Sequence, residues 1–331
     1  MSSEPLLLSV VVPIYFEQDT IPEFYARMKK AMLSLAPEFS HEIIYVNDGS
    51  TDNSLKMLCE LAIKDDSVRI LNLSRNFGHQ LAITAGIDAA VGDVVAVIDG
   101  DLQDPPEVIV EMVGKWKEGF KVVYGVRRSR KGETVFKLLT ANLFYRILGK
   151  MSDVALPLDS GDFRIMDRAV VDALAGIREE NRYIRGLVSW VGFRQCGLPY
   201  ERDVRYAGVT KFNLKKMLRF ALDGITSFSD KPLRVSSKLG LVITLIAFLS
   251  MLWLIVSKLI APESSIPGWT SLLVVVLFLG GVQLISIGVL GEYIGRIYKE
   301  TKQRPLYIVA ERVGYDGQAR SAAEKIQKNG R

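Results

Sequence analysis

The chain has 331 residues, 49% hydrophobic and 24% charged, with 42 Lys and Arg against 37 Asp and Glu for a net charge of +5. So much apolar content excludes a disordered chain, and the small basic excess, gathered near the apolar segments, points to an anionic membrane surface and against nucleic acid. Cys59 and Cys196 stand far apart with no CxxC and no histidine at metal spacing, which excludes a disulfide framework and suits buried thiols in a reducing compartment.

Leu6 to Pro13 is too short for the apolar core of a signal peptide, ends in proline and follows the acidic Glu4, so no signal peptide is expected. From Leu6 to about Gly125, short β-branched runs alternate with amphipathic stretches. LLLSVVVPIY, HEIIYVNDGS, VRILNLSRNFG, GDVVAVIDGD and KVVYGVRR each predict a strand that ends in polar residues or glycine. Ile21 to Leu35 and Ser54 to Lys64 have helical apolar spacing, with Thr51 or Asp52 available to cap the second. This alternation predicts an α/β fold with a mostly parallel sheet covered on both faces. In such sheets ligands bind beyond the carboxyl ends of the strands. Successive strand ends carry Tyr15 and Glu17, then Asp48, then Asn76 and Gly78, then Asp99 and Asp101, which points to one crevice.

The fourth strand end is AVIDGDLQDPPE, Ala96 to Glu107. Asp99 and Asp101 can both reach a hard divalent cation, Mg²⁺ or Mn²⁺, with Gly100 allowing close backbone approach and Gln103 adding a neutral oxygen. The same residues also suit an Asp-Gly turn or a helix N-cap before Pro105 and Pro106. Asp104 is expected to cap the next helix, leaving Gln103 to serve the metal. Asp48 is placed to accept hydrogen bonds from a ribose or base, and Pro13 and Tyr15 to lie against a ring. No GxxxxGK occurs and no GxGxxG follows a strand, so a cation would take over the diphosphate charge that glycine-loop amides hold elsewhere. His79, in the NFGHQ turn, is expected to pack or hydrogen-bond and not to catalyse.

Residues 134–151 and 213–229 are basic amphipathic stretches, suited either to packing on a core or to lying in a membrane interface. Leu239 to Ser257 and Gly268 to Gly291 carry no charge, and each is long enough to cross a bilayer core of about 30 Å. The short connection makes them a hairpin. Arg234 and Lys238 before it, and Arg296, Lys299, Lys302 and Arg304 after it, place both outer ends in the cytoplasm by the positive-inside rule. The expected organisation is a cytoplasmic catalytic domain at 1–232, two transmembrane helices within 233–296 (about 236–260 and 268–293) and a cytoplasmic tail at 297–331. The segment 304–313 has strand character and is expected to pair with a neighbouring chain in a homo-oligomer.

VVPIYFE, VNDGSTDNS, LSRNFGHQLAITAGIDAAVGD and DGDLQDPPE, in that order, closely resemble the N-terminal motifs of family 2 glycosyltransferases, which have the GT-A fold, a Rossmann-like arrangement. SGDFRIMDR, NRYIRG and RYAGVTKFN, followed by the hairpin, resemble the polyisoprenyl-phosphate branch, which includes dolichol-phosphate mannose synthases and GtrB-type bactoprenol glucosyltransferases; the hairpin favours the latter. The resemblance runs from about Ser9 to Leu306.

It implies nucleotide-sugar contacts from Pro13, Tyr15, Glu17, Val46, Asp48 and Gly100, metal ligation by Asp99, Asp101 and Gln103, and phosphate contacts from Arg127, Arg205 and Lys211. Phe16 departs from the family's usual Asn, and Thr210 from its usual Ser. Asp159 and Asp162, in DSGDFR, are further catalytic candidates that orient the sugar or the phosphate, or else form a turn beside a helix; Arg164 is available to pair with either. The implied activity is inverting transfer of a sugar, glucose by resemblance, from a UDP-sugar to undecaprenyl or another polyprenyl phosphate at the cytoplasmic face of the plasma membrane. A processive polysaccharide synthase is the rival enzyme, but no QxxRW motif occurs and two spans are too few for a polymer channel. A non-catalytic membrane-anchored scaffold is a third reading, disfavoured by the presence of both Asp99 and Asp101.

Overall fold

Leu6–Ile14 forms strand β1, whose side chains from Leu8 onward are all buried. A strand apolar on both faces belongs in the middle of a covered sheet. It pairs in parallel with β2 (Phe39–Asn47) on one side and β4 (Val94–Val97) on the other. Beyond β2 lies β3 (Val68–Leu73), also parallel. With β5 (Val122–Arg127), β6 (Ser160–Asp167), β7 (Gln195–Tyr200) and β8 (Val309–Val313) the sheet has eight strands in the order β7-β5-β6-β4-β1-β2-β3-β8. The structure, a computed structural model, describes residues 5–128, 160–203, 231–260 and 269–315.

Helices α1 (Ile21–Leu33), α2 (Ser54–Lys64) and α4 (Val108–Lys117) cover one face, burying Phe24, Met28, Leu58 and Met112 on Tyr45 and Val12. Helices α3 (His79–Ala89), α5 (Arg168–Ala175) and α6 (Ile184–Trp190) cover the other, where Ile83, Val170 and Leu187 meet Val11, Ile44 and Val97. Each such side chain contributes roughly 1.5–3 kcal/mol of burial. Strand order runs from β1 outward through β2 and β3, then resumes at β4 on the other side of β1. That reversal, beyond the carboxyl ends of β1 and β4, is where sheets of this kind bind their ligands.

The expected mostly parallel α/β sheet is present, with two antiparallel insertions. β6 lies between β4 and β5 and runs against both, and β8 runs against β3. The strand expected within 304–313 forms at Val309–Val313 as β8, antiparallel to the β3 edge of its own chain's sheet.

Two long helices follow the sheet domain, α7 (Lys231–Ile260) and α8 (Trp269–Thr301), joined side by side by a Ser236 to Ser286 hydroxyl bond of 2.8 Å. Helix α8 continues past the expected end at 293 into its basic terminus. Among the described residues one segment, Phe278–Thr301, is long and apolar enough to cross a membrane, and a shorter apolar stretch occupies Gly240–Ser250. The amphipathic stretches 134–151 and 213–229 lie outside the described residues.

Candidate active site

The turns after β1, β2 and β3 interlock. Phe16 has a left-handed backbone (φ 57°), a conformation that suits Asn or Gly better than an aromatic residue. Its N–H donates to Ser50 Oγ at 3.1 Å, and its ring lies 4.4 Å from that of Tyr15, both residues 38% exposed at the crevice mouth. Gly49 is also left-handed (φ 69°), and a Cβ there would stand 2.5 Å from the Asn76 nitrogen, so only glycine lets the second turn close on the third. Asp48 accepts from the Phe77 and Gly78 amides at 2.7 and 3.0 Å, and burial pushes its carboxyl upward in spite of those bonds and of nearby His79 and Arg75. Its carboxylate thus shapes the loop that delivers His79 to the start of α3. Pro13 and Val46 face each other in the β1–β2 ladder with buried side chains, which leaves only their backbone for a ligand.

Asp99, Gly100 and Asp101 follow β4. Leu102, next in sequence, is left-handed (φ 59°) and 1% exposed, so burial holds a backbone that costs roughly 1–2 kcal/mol. The Gln103 N–H donates to Asp101 Oδ1 at 3.1 Å, and the Gln103 carbonyl accepts from Asp203 at 2.9 Å. Asp104 does not cap α4, whose N-cap position is Glu107. It is instead buried, taking hydrogen bonds from the Tyr200 hydroxyl and from Arg202 Nε at 3.2 Å, because β7 ends beside it.

Asp99 Oδ1 is a buried atom that accepts no hydrogen bond among the described residues. Burial pushes the Asp99 carboxyl up to about 6, against the pull of His79 and with help from Asp162, Asp104 and Asp101. Such an excess of carboxylate over hydrogen-bond donors is what a hard divalent cation relieves. The residues therefore fit Mg²⁺ or Mn²⁺, with Asp99 and Asp101 available as anionic ligands. Among the described residues no three acidic, histidine or cysteine side chains are arranged to hold a metal ion by themselves.

Register brings Asp162 to this site. Val97 on β4 faces Arg164 on antiparallel β6, so two residues on, Asp99 comes level with Asp162. His79 Nε2 sits between them, 3.2 Å from Asp162 Oδ2 and 3.5 Å from Asp99 Oδ1. Burial opposes a charge on His79, but Asp99 and Asp162 outweigh it and raise the imidazole to about 9. Asp162 is held well below the usual carboxylate range in spite of its burial, chiefly by Arg185 and His79. Among the described residues Arg164 reaches the backbone carbonyls of Asp162 and Gly161, and burial lowers its guanidinium to about 10; Asp159, the other expected partner, lies outside them. His79 does hydrogen-bond as expected; its approach to Asp99, and Arg185 altogether, escaped sequence reasoning, although NRYIRG already singled out the segment.

Arg127, at the end of β5, lies over Gly161, where a Cβ would come within 3.0 Å of its guanidinium. Asp159, Arg205 and Lys211 lie outside the described residues. Tyr15, Glu17, Asp48, Asp99, Gly100, Asp101, Gln103 and Asp162 all occupy strand ends or turns on one side of the sheet.

Residues 9–175 match glycosyl transferase family 2, and residues 231–297 match the GtrB C-terminal hairpin. The uncharacterized glycosyltransferase YkcC of Bacillus subtilis (strain 168) is 51% identical over 95% of this chain and 96% of its own. The bactoprenol glucosyl transferase of Shigella phage SfV is 44% identical over 91% of this chain and 97% of its own. The prophage bactoprenol glucosyl transferase homolog of Escherichia coli (strain K12) is 43% identical over 91% and 98%.

Proposed function

The chain belongs to glycosyl transferase family 2 and carries a GtrB C-terminal hairpin, and from that premise we propose that it transfers glucose from UDP-glucose to a polyprenyl phosphate such as undecaprenyl phosphate. The observation that carries this reading is the joint presence of both regions in one chain, with near full-length similarity to a bactoprenol glucosyl transferase.

In the proposed step an oxygen of the lipid phosphate attacks the anomeric carbon. The bond from that carbon to the UDP oxygen breaks with its electron pair, giving UDP and polyprenyl-phosphate-glucose with inverted configuration. A lipid phosphate is already ionised at neutral pH, so the nucleophile has no proton to lose and the site needs no general base. Tyr15 offers an aromatic face to the base and Glu17 an acceptor near it, while Asp48, buried on the Phe77 and Gly78 amides, holds the neighbouring turn. Asp99, Asp101 and Gln103 would hold a divalent ion. When bound, it neutralises charge that builds on the leaving diphosphate. In this reading Arg127, Arg205 and Lys211 contact the phosphates, as the resemblance implies, and Asp159 lies toward the acceptor side. Helices α7 and α8 anchor the catalytic domain at the cytoplasmic face of the membrane, where the lipid phosphate head is presented.

The test supplies the purified full-length protein with a panel of radiolabelled nucleotide sugars and undecaprenyl phosphate. Lipid-extractable label from UDP-glucose is expected. Label in an insoluble polymer, or no label from any donor, overturns the reading.

A further inference from the structure

Arg185, at the start of α6, grips Asp162 with two nitrogens: Nε donates to Oδ1 at 2.8 Å and Nη2 to Oδ2 at 3.2 Å. The same Oδ2 takes Gln80 Nε2 at 3.1 Å and meets His79 Nε2 at 3.2 Å. Gln80 Oε1 in turn accepts the Ile184 amide at 2.9 Å. Three elements distant in sequence, the first turn of α3, the start of β6 and the start of α6, are therefore tied at one carboxylate whose side chain is 4% exposed.

A carboxylate offers about four acceptor directions. Three of the contacts converge on Oδ2 and the fourth, from Arg185 Nε, is on Oδ1, so the carboxylate is held chiefly by its protein neighbours. Two of those neighbours are consecutive residues of α3, and one of them, His79, is the residue whose other neighbour is Asp99. What Asp162 holds in place is thus the wall of the crevice that faces the Asp99 carboxylate.

We propose that Arg185 is a positioning residue for glycosyl transfer, acting through Asp162 to fix His79 against Asp99 in the geometry the transfer step requires. This rests on the transferase reading given above. Removing Arg185 leaves a buried carboxylate short of its main partner, and a buried ion without its counter-charge rearranges its surroundings. His79 and Gln80, already on Oδ2, are then the groups drawn across to the Oδ1 that Arg185 Nε has left. Displacement of His79 by about 1 Å is enough to cost on the order of 10²-fold in turnover. Lysine keeps the charge but not the planar two-nitrogen fork, so it restores the geometry only in part.

The experiment uses the full-length protein with UDP-glucose and undecaprenyl phosphate, comparing wild type with Arg185→Met, Arg185→Lys, Asp162→Asn and the double variant Asp162→Asn/Arg185→Met. Arg185→Met is expected to lower kcat about 10²-fold while the donor KM and the affinity for UDP stay within about threefold. Arg185→Lys should fall between the two. The double variant should lose much less than the product of the single losses, since both substitutions act on one pair.

Wild-type kcat in Arg185→Met, a loss confined to KM, or losses that multiply in the double variant overturns the proposal. Should Arg185→Met fail to fold, Arg185→Lys carries the test: a reduced kcat at unchanged donor KM supports positioning, and a wild-type kcat overturns it. A wild-type protein that transfers no sugar overturns the transferase reading and this inference with it. Transfer by wild type alongside an unaffected Arg185→Met overturns the inference alone.

Discussion

Gly100 stands so close to Ile14 that a Cβ on it would lie 2.6 Å from Ile14 Cδ1. The glycine between the two aspartates therefore packs directly on the tip of the buried Ile14 side chain. Gly100→Ala should destabilise the protein by about 1–3 kcal/mol through overpacking and lower turnover by moving Asp99 and Asp101. Adding Ile14→Val removes the clashing methyl and should recover most of both losses. Thermal unfolding and transfer rates of the single and double variants check this; no recovery in the pair means that the glycine is needed for another reason.

Asp99 and Asp101 are assigned to a divalent ion. Asp99→Asn and Asp101→Asn should each lower kcat/KM by at least about 10²-fold. Chelation should abolish transfer, and Mg²⁺ or Mn²⁺ should restore it. Calorimetric binding of UDP with and without the ion provides a second reading, and affinity that ignores the ion in the wild type argues against this assignment.

Asp65 accepts from Tyr25 and Lys29 at 2.6 Å each and from the Ser67 amide at 2.9 Å. Burial works against its charge, but Lys29, Tyr25 and Ser67 hold it below the usual carboxylate range. A carboxyl whose folded pKa lies below its unfolded value, about 3.9, adds stability that is complete above that value and drains away as pH falls toward the folded one. Asp65→Asn should cost about 1–3 kcal/mol at neutral pH, and its difference from wild type should shrink below about pH 4. Unfolding midpoints measured from pH 7 downward in one detergent check the sign, and a gap that stays constant contradicts it.

Tyr200→Phe removes a hydroxyl donor from Asp104, which is 1% exposed and whose Oδ2 has no partner among the described residues. The loss should be about 1–3 kcal/mol, since a buried acceptor is left short of a donor. An unchanged unfolding midpoint would show that Arg202 alone suffices for Asp104.

The strand ends at Tyr15, Asp48, Asn76 and Asp99 were legible because each follows a short apolar run, and parallel strands deliver their carboxyl ends to one edge. Asp104 was misread because its spacing from Pro105 and Pro106 imitates a cap, while its true partners, Tyr200 and Arg202, are far away in sequence. The strand near the C-terminus was visible, but which edge it joins was not: β-branched residues announce a strand without naming its neighbour. That His79 would hydrogen-bond was legible, but its partners Asp162 and Asp99 were not, because neither is adjacent to it in the chain.

By itself the sequence determined the alternating strands and helices, the parallel core, the acid pair at a strand end and the long apolar segments, since all of these follow from local periodicity and chain length. Only the tertiary structure decided that β6 enters the sheet against β4. That register sets Asp162 level with Asp99, and the packing of α6 on the same face brings Arg185 within 2.8 Å of it. Such charge networks are settled by which buried ions find partners once the core has closed, and local sequence pattern carries no record of that choice.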